Sequence, residues 1–245
     1  MSVENGEWVM HGVSKNDPEC LHTVEDLEEY IEKVGFVPLF GNEIKGFSVE
    51  EKTEAKYWWS GNEAKDPWEW RRIISSRGKI AYGKFFDKKA GFISMEWLPY
   101  FVNFRRDGYD FDALWDDGKA SRKMKKIMDL FDGENEDAEL FSFEIKQMAN
   151  FGKEGDKGFE GVMTALQMQM YLTTRDFRQK KNKKGEEYGW HVAVFRTPES
   201  MWGYRNVTAA YKESPEESAS KVFDHVAKMY PEAGAKEIRK VLGIK

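Results

Sequence analysis

Residues 159–195 read FEGVMTALQMQMYLTTRDFRQKKNKKGEEYGWHVAVF, and a change of rhythm inside this stretch decides the fold. The first part, Phe159 to Gln167, has the three-four apolar spacing of an α-helix and leaves Glu160, Thr164 and Gln167 on its exposed side, with Lys157 just ahead of it. At Met170 the period drops to two, which puts Tyr171, Thr173, Arg175 and Phe177 on one face of an extended chain. A strand is predicted over 170–177 and another over 188–195. The polar segment 178–187 between them makes the pair a hairpin with a long tip.

Two more helices are predicted upstream. Ser121 starts one that runs to about Phe131, with Met124, Ile127, Met128 and Phe131 on one face. Ser142 caps a shorter one to about Asn150. The acidic segment 132–137 and the glycine-rich segment 152–158 read as loops. Three helices followed by a hairpin is the order of a winged helix, in which the third helix can enter a major groove and the hairpin is the wing. The module is assigned to residues 118–197.

The hairpin tip carries the clearest chemical signal. Arg175, Arg178, Lys180, Lys181, Lys183 and Lys184 lie within ten residues of a chain whose net charge is −5. Phosphate contacts need cations on an exposed element, and a hairpin tip supplies one. A solvated turn is also polar, so the tip alone leaves that reading open, and Glu186-Glu187 weakens the field at one end. The third helix offers no arginine for bidentate reading of guanine. A winged helix that docks another protein is therefore a further alternative.

Ahead of residue 118 the rhythm differs. Thr23 caps a helix carrying Val24, Leu27, Tyr30, Ile31 and Val34, with Gly35 placed to end it. Asp66-Pro67 reads as cap and first helical residue of a helix over 67–76, stopped by Gly78. Lys79 to Phe86 is a strand, 87–91 a turn and Phe92-Ile93 the return. Ser94 is then expected to cap a helix over 95–106, and 107–118 to be an acidic loop. Trp58, Trp59, Trp68 and Trp70 stand close to Arg71 and Arg72, a combination that suits stacking on bases, although aromatics at helical spacing are more often core. The predicted organisation is a loose lead-in over 1–20, an aromatic-rich α+β part over 21–117, the winged helix over 118–197, and C-terminal helices over 198–245. The fold class is α+β and mostly helical.

Composition bounds the setting. With 40% hydrophobic and 15% aromatic residues, 245 residues can build a real core. The single cysteine, Cys20, permits no intrachain disulfide, and no segment has the length and apolarity of a signal or membrane span. A cytoplasmic protein is expected. His11, His22, His191 and His225 are scattered, and Asp107, Asp110, Asp112, Asp116 and Asp117 lack a calcium-loop pattern. No metal or other cofactor is expected.

Two segments, DPWEWRRIISSRGKIAYGKFFDKKAGFISMEWLPYF at 66–101 and GFEGVMTALQMQMYLTTRDFRQKKNKKGEEYGWHVAVFRTPESMWG at 158–203, resemble the AlkZ-related proteins. These are distant relatives of the AlkZ-type winged-helix DNA glycosylases, which unhook crosslinked or alkylated bases. The resemblance runs from about residue 22. It implies DNA as partner, duplex and damaged DNA included. In the glycosylases a Gln-apolar-Gln motif positions the attacking water, and Gln167-Met168-Gln169 matches it in letters. The resemblance thus implies that Gln167 and Gln169 would orient a water beside the N-glycosidic bond. A nucleic-acid-binding protein of this group is the leading expectation. An active glycosylase on alkylated or bulky-adduct bases and a protein-interaction module are the alternatives.

Overall fold

In the computed structural model, which describes residues 2–4 and 7–244, the predicted caps set the first helices. Strands β1 (Ser2–Glu4) and β2 (Glu7–Val9) form an antiparallel hairpin, so part of the expected lead-in is ordered; residues 1, 5 and 6 of it lie outside the described residues. Helix α1 (Val24–Val34) is held by a reciprocal cap: the Asp26 backbone N–H donates to Thr23 Oγ1, and Thr23 N–H donates to Asp26 Oδ2, both at 3.1 Å. Gly35 ends it with φ of 85°, and a Cβ there would lie 2.5 Å from the Trp97 ring. Strand β3 (Phe36–Pro38) follows. Helix α2 (Pro67–Arg77) starts on Asp66, whose Oδ1 accepts from Trp68 N–H at 2.9 Å.

Strands β4 (Ile80–Phe86) and β5 (Lys89–Ser94) correct the expected turn. Only Asp87 and Lys88 connect them, both with positive φ, which is the backbone that a two-residue hairpin requires. Lys89 is thus already paired, opposite Phe86. The antiparallel sheet has the order β3-β5-β4. One compact unit comprises residues 1–98 and 219–245. Its core holds Leu27, Ile31, Phe36, Phe47, Phe85, Phe86 and Phe92, each almost fully buried and each stabilising the fold by about 1.5–3 kcal/mol. The C-terminal helix Ala235–Leu242 belongs to this unit, as does His225, whose ring nitrogen lies 2.8 Å from Val34 O.

The second unit spans 99–218, so the units divide at Leu98 and Ser218 rather than near residue 118. Helix α3 (Leu98–Arg106) crosses the first boundary and starts later than expected: Ser94 ends β5 and accepts Trp97 N–H through its carbonyl instead of capping. The expected acidic loop contains a helix, α4 (Phe111–Asp116). Helix α5 (Arg122–Met128) is capped by Ser121, whose Oγ accepts Met124 N–H at 3.2 Å. Strand β6 (Leu140–Phe141) was not anticipated. It makes Phe141 the cap of α6 (Ser142–Met148), with Phe141 N–H donating to Glu144 Oε2 at 2.9 Å, so Ser142 is the first helical residue. Helix α7 (Phe159–Met168) then leads to β7 (Thr173–Lys181) and β8 (Glu187–Arg196).

This antiparallel sheet has the order β6-β8-β7. Its core cluster joins Met124, Ile127 and Phe131 to Ile145, Met163, Leu166, Leu172 and Phe195. After β8 the chain forms two short helices, α8 (Pro198–Trp202) and α9 (Tyr204–Val207), separated because Gly203 breaks the helical backbone with φ of 83° and ψ of 137°. Both units are mixed α+β, and among the described residues their sheets are antiparallel.

Candidate nucleic-acid interface

The β7-β8 hairpin has a tied base and an open tip. At the base, Glu139 gathers three guanidinium groups: Arg178 Nη2 at 2.6 Å, Arg175 Nε at 3.3 Å and Arg196 Nη1 at 3.4 Å. Arg178 also holds Asp176 at 2.8 Å, and Arg196 pairs with Asp137. Burial acts to raise the Glu139 carboxyl, but the hydrogen bond from Arg178 and the charges of Arg175 and Arg196 outweigh it and hold the carboxyl below its usual range. Arg175 and Arg178, both expected to contact phosphate, are therefore already matched by carboxylates. Their role in the free protein is to pin the hairpin to the segment before β6.

The tip is arranged differently. Asn182 Oδ1 accepts from Lys184 N–H at 2.8 Å and from Glu186 N–H at 3.1 Å, and its Nδ2 donates to Glu186 Oε2 at 2.8 Å. Glu186 is thus engaged by an amide, while Glu187 stands opposite Lys181 in the ladder. Lys181, Lys183 and Lys184 are exposed, and among the described residues none forms an ion pair. Lys180 lies with its Nζ 4.6 Å from the centre of the Phe143 ring.

The same hairpin carries two exposed aromatics. Trp190 is 92% exposed and Tyr188 51%. The ladder explains Trp190. Lys180 pairs with Tyr188 and Arg178 with Val192, so Gly189, Trp190 and His191 face the lone Gln179 across the hairpin. Gln179 Nε2 donates to Gly189 O at 2.7 Å, and Gly189 takes φ of 76°, where a side chain would be strained. Such a bulge re-aims the residue that it carries. The sequence reading missed this pair; the available signal was Tyr188-Gly189-Trp190, two aromatics around a glycine within a polar tip.

The tryptophans chosen from sequence are placed otherwise. Trp70 and Trp58 are buried, at 1% and 5% exposure, and offer no open face for a base. Trp58 Nε1 donates to Thr53 Oγ1 at 3.0 Å. Trp68 is half-buried, with the Arg71 guanidinium 3.6 Å from its ring centre, and packs on Trp59, which alone of the four is exposed. Three of these side chains thus serve the interior or its edge.

Gln167 and Gln169 lie at the end of α7. Gln167 is buried, not exposed as expected, and its Nε2 donates to Met163 O at 3.1 Å. Gln169 is the C-cap of α7 and half-buried. Residues two apart on a helix diverge by about 200°, and the two amides do not share an environment. The carbonyls of this junction are claimed from α3: Arg105 Nη1 donates to Met168 O at 3.1 Å and Arg106 Nη2 to Met170 O at 2.6 Å. Arg106 is buried and paired with Glu199 at 2.5 Å. Burial pulls its pKa down, but Glu199 outweighs this and holds it above the usual arginine value. Met170, with φ of 62°, turns the chain from helix to strand under these contacts.

A cleft of about 520 Å³ in the second unit is lined by Asp112, Asp129, Asp132, Asp137, Glu199 and others, Gln167 and Gln169 not among them. Its single lysine, Lys125, is paired with Asp129. The acidic lining of this cleft does not attract phosphate, whereas Lys181, Lys183 and Lys184 at the hairpin tip are exposed cations.

A family model described as AlkZ related matches residues 21–243. The chain belongs to the AlkZ-related family. The match covers both units, and the hairpin with its lysines and aromatics falls inside it. Among solved structures, the AlkZ-related chain is similar to the DNA glycosylase AlkZ of Streptomyces sahachiroi, with 12% identity and a TM-score of 0.45 over 93% of this chain and 60% of that one. The chain thus spans about 60% of the length of the solved protein that it matches. No curated protein matches it. Among the described residues no helix is long and apolar enough to cross a membrane.

Proposed function

We propose that this AlkZ-related chain binds DNA through residues 118–197 acting as a winged helix. The reading is supported by α5, α6 and α7 followed by the β7-β8 hairpin, with β6 added to the edge of β8. Membership of the AlkZ-related family, with its implied relation to DNA glycosylases, supports DNA as the nucleic acid.

The observation that carries the proposal is the contrast along one hairpin: the base arginines are matched by Glu139 and Asp176, whereas Lys181, Lys183 and Lys184 at the tip are exposed without an ion pair. Cations held on an exposed element release counterions from a phosphate backbone on binding, and Glu187, opposite Lys181 in the ladder, weakens that field at one end. The proposal assigns binding and routes no catalytic step through Gln167 and Gln169, since Gln167 is buried and bonded to Met163 O.

Duplex affinity measured across a salt series tests it. The wild type is expected to lose affinity steeply with salt, and replacing Lys180, Lys181, Lys183 and Lys184 by Ala together flattens the log-log slope by up to about three units, at about 0.9 per phosphate contact. A quadruple variant with unchanged affinity and slope would overturn the proposal and leave the tip a solvated turn.

A further inference from the structure

We infer that Trp190 and Tyr188 form a base-stacking site on the hairpin, specific for nucleobases that are unpaired. The inference rests on the DNA-binding reading above and adds what the lysines cannot supply: a preference for single-stranded or locally opened DNA.

A tryptophan 92% exposed leaves both faces of its ring in water, the opposite of the usual fate of the largest apolar side chain. Its exposure is built in. Three residues on β8 face one on β7, Gly189 adopts the left-handed backbone at φ of 76°, and the Gln179 amide ties the bulge to Gly189 O at 2.7 Å. The bulge lies within the ladder, with paired residues on both sides, Lys180 with Tyr188 and Arg178 with Val192. The indole is therefore presented from a fixed backbone and pays less ordering entropy on binding than a side chain on a mobile loop.

Charge selects the occupant. Tyr188 lies across the ladder from Lys180, and Lys181, Lys183 and Lys184 follow within the same tip. A hairpin that carries exposed aromatic rings and exposed ammonium groups within a few residues matches a nucleotide, whose base has a π-face and whose phosphate is an anion. In an intact duplex the bases are stacked on each other, and an indole reaches their faces only where the stack is opened. The site therefore discriminates by base accessibility and not by base identity, in keeping with the lack of an arginine on α7.

The test compares one labelled single-stranded oligonucleotide with the duplex of the same sequence. Because the Trp190 side chain is exposed, Trp190→Ala folds as the wild type does, which circular dichroism checks. The expected result is a loss of about five- to a hundredfold in single-strand affinity for Trp190→Ala, a smaller loss for Tyr188→Ala and partial retention by Trp190→Phe. Duplex affinity and the salt slope stay as in the wild type, whereas the lysine variant loses both. Equal single-strand affinity of Trp190→Ala and wild type, with salt-dependent binding intact, would overturn the stacking site alone. A wild type that binds neither oligonucleotide would overturn the DNA reading and this inference with it. A concentration-dependent oligomer that Trp190→Ala dissolves, without DNA binding, would reassign the patch to contact between copies.

Discussion

Two groups of aromatic residues, one in each unit, carry opposite lessons. Trp58, Trp59, Trp68 and Trp70 sit among arginines in the sequence, as a base-stacking surface would, yet Trp58 and Trp70 are interior, and the Arg71 guanidinium lies on the Trp68 ring. Tyr188 and Trp190 lie in a stretch that reads as solvated turn and strand, yet their rings are open. The side-chain chemistry is the same. What differs is whether the backbone belongs to the core or carries a bulge in an exposed hairpin. Composition names the rings, and topology decides whether a ligand can reach them.

The largest expected effect breaks or upholds that contrast directly. Trp70→Ala should cost about 3–5 kcal/mol in denaturant unfolding, because it empties a filled core position. Trp190→Ala should stay within about 0.5 kcal/mol of wild type, because it removes an exposed ring. Similar losses for both would mean that Trp190 is packed in solution and would remove the stacking site.

An intermediate effect extends the comparison to the two glutamines. Gln167→Ala removes a buried side chain and its bond to Met163 O, and should destabilise by about 2 kcal/mol. Gln169→Ala, at a half-buried C-cap, should cost less than about 1 kcal/mol. Thermal or chemical melts read both. Equal and small losses would show Gln167 free of the core, and the two amides would then be able to meet.

The smallest effect sharpens the difference between hairpin base and tip. Glu139→Gln should cost about 1 kcal/mol near neutral pH, since the ion-pair network is partly exposed. The folded-state pKa of Glu139 is lowered, so its contribution is fully present above the ordinary carboxylate range and is lost as pH falls through the lowered value. The stability gap between wild type and Glu139→Gln should therefore close on acidification. A gap that stays constant down to acid pH would mean that the three arginines do not hold the carboxylate.

Much of the fold was legible. Thr23, Asp66 and Ser121 cap where predicted, since a cap is a local bond between a side chain and the next turn. Helix α7 and the hairpin were visible as a change of period at Met170, although the strand starts only at Thr173, because Met170 must first turn left-handed to leave the helix. Strand β6 was not legible. Two residues carry no period, and their extended state exists only because β8 offers paired partners in Val194 and Phe195.

The sequence by itself determined the α+β class, the capped helices, the lysine-rich tip and the family resemblance, all of which rest on residues close together in the chain. Tertiary structure alone decided which charges and rings are available. Glu139 reaches Arg175 and Arg178 from more than thirty positions away, whereas Lys181, Lys183 and Lys184 at the tip form no ion pair among the described residues. The ladder register opposes three residues to one and pushes Trp190 outward, while the core draws Trp58 and Trp70 in. Burial and ion pairing depend on partners distant in sequence, which the local order of residues does not specify.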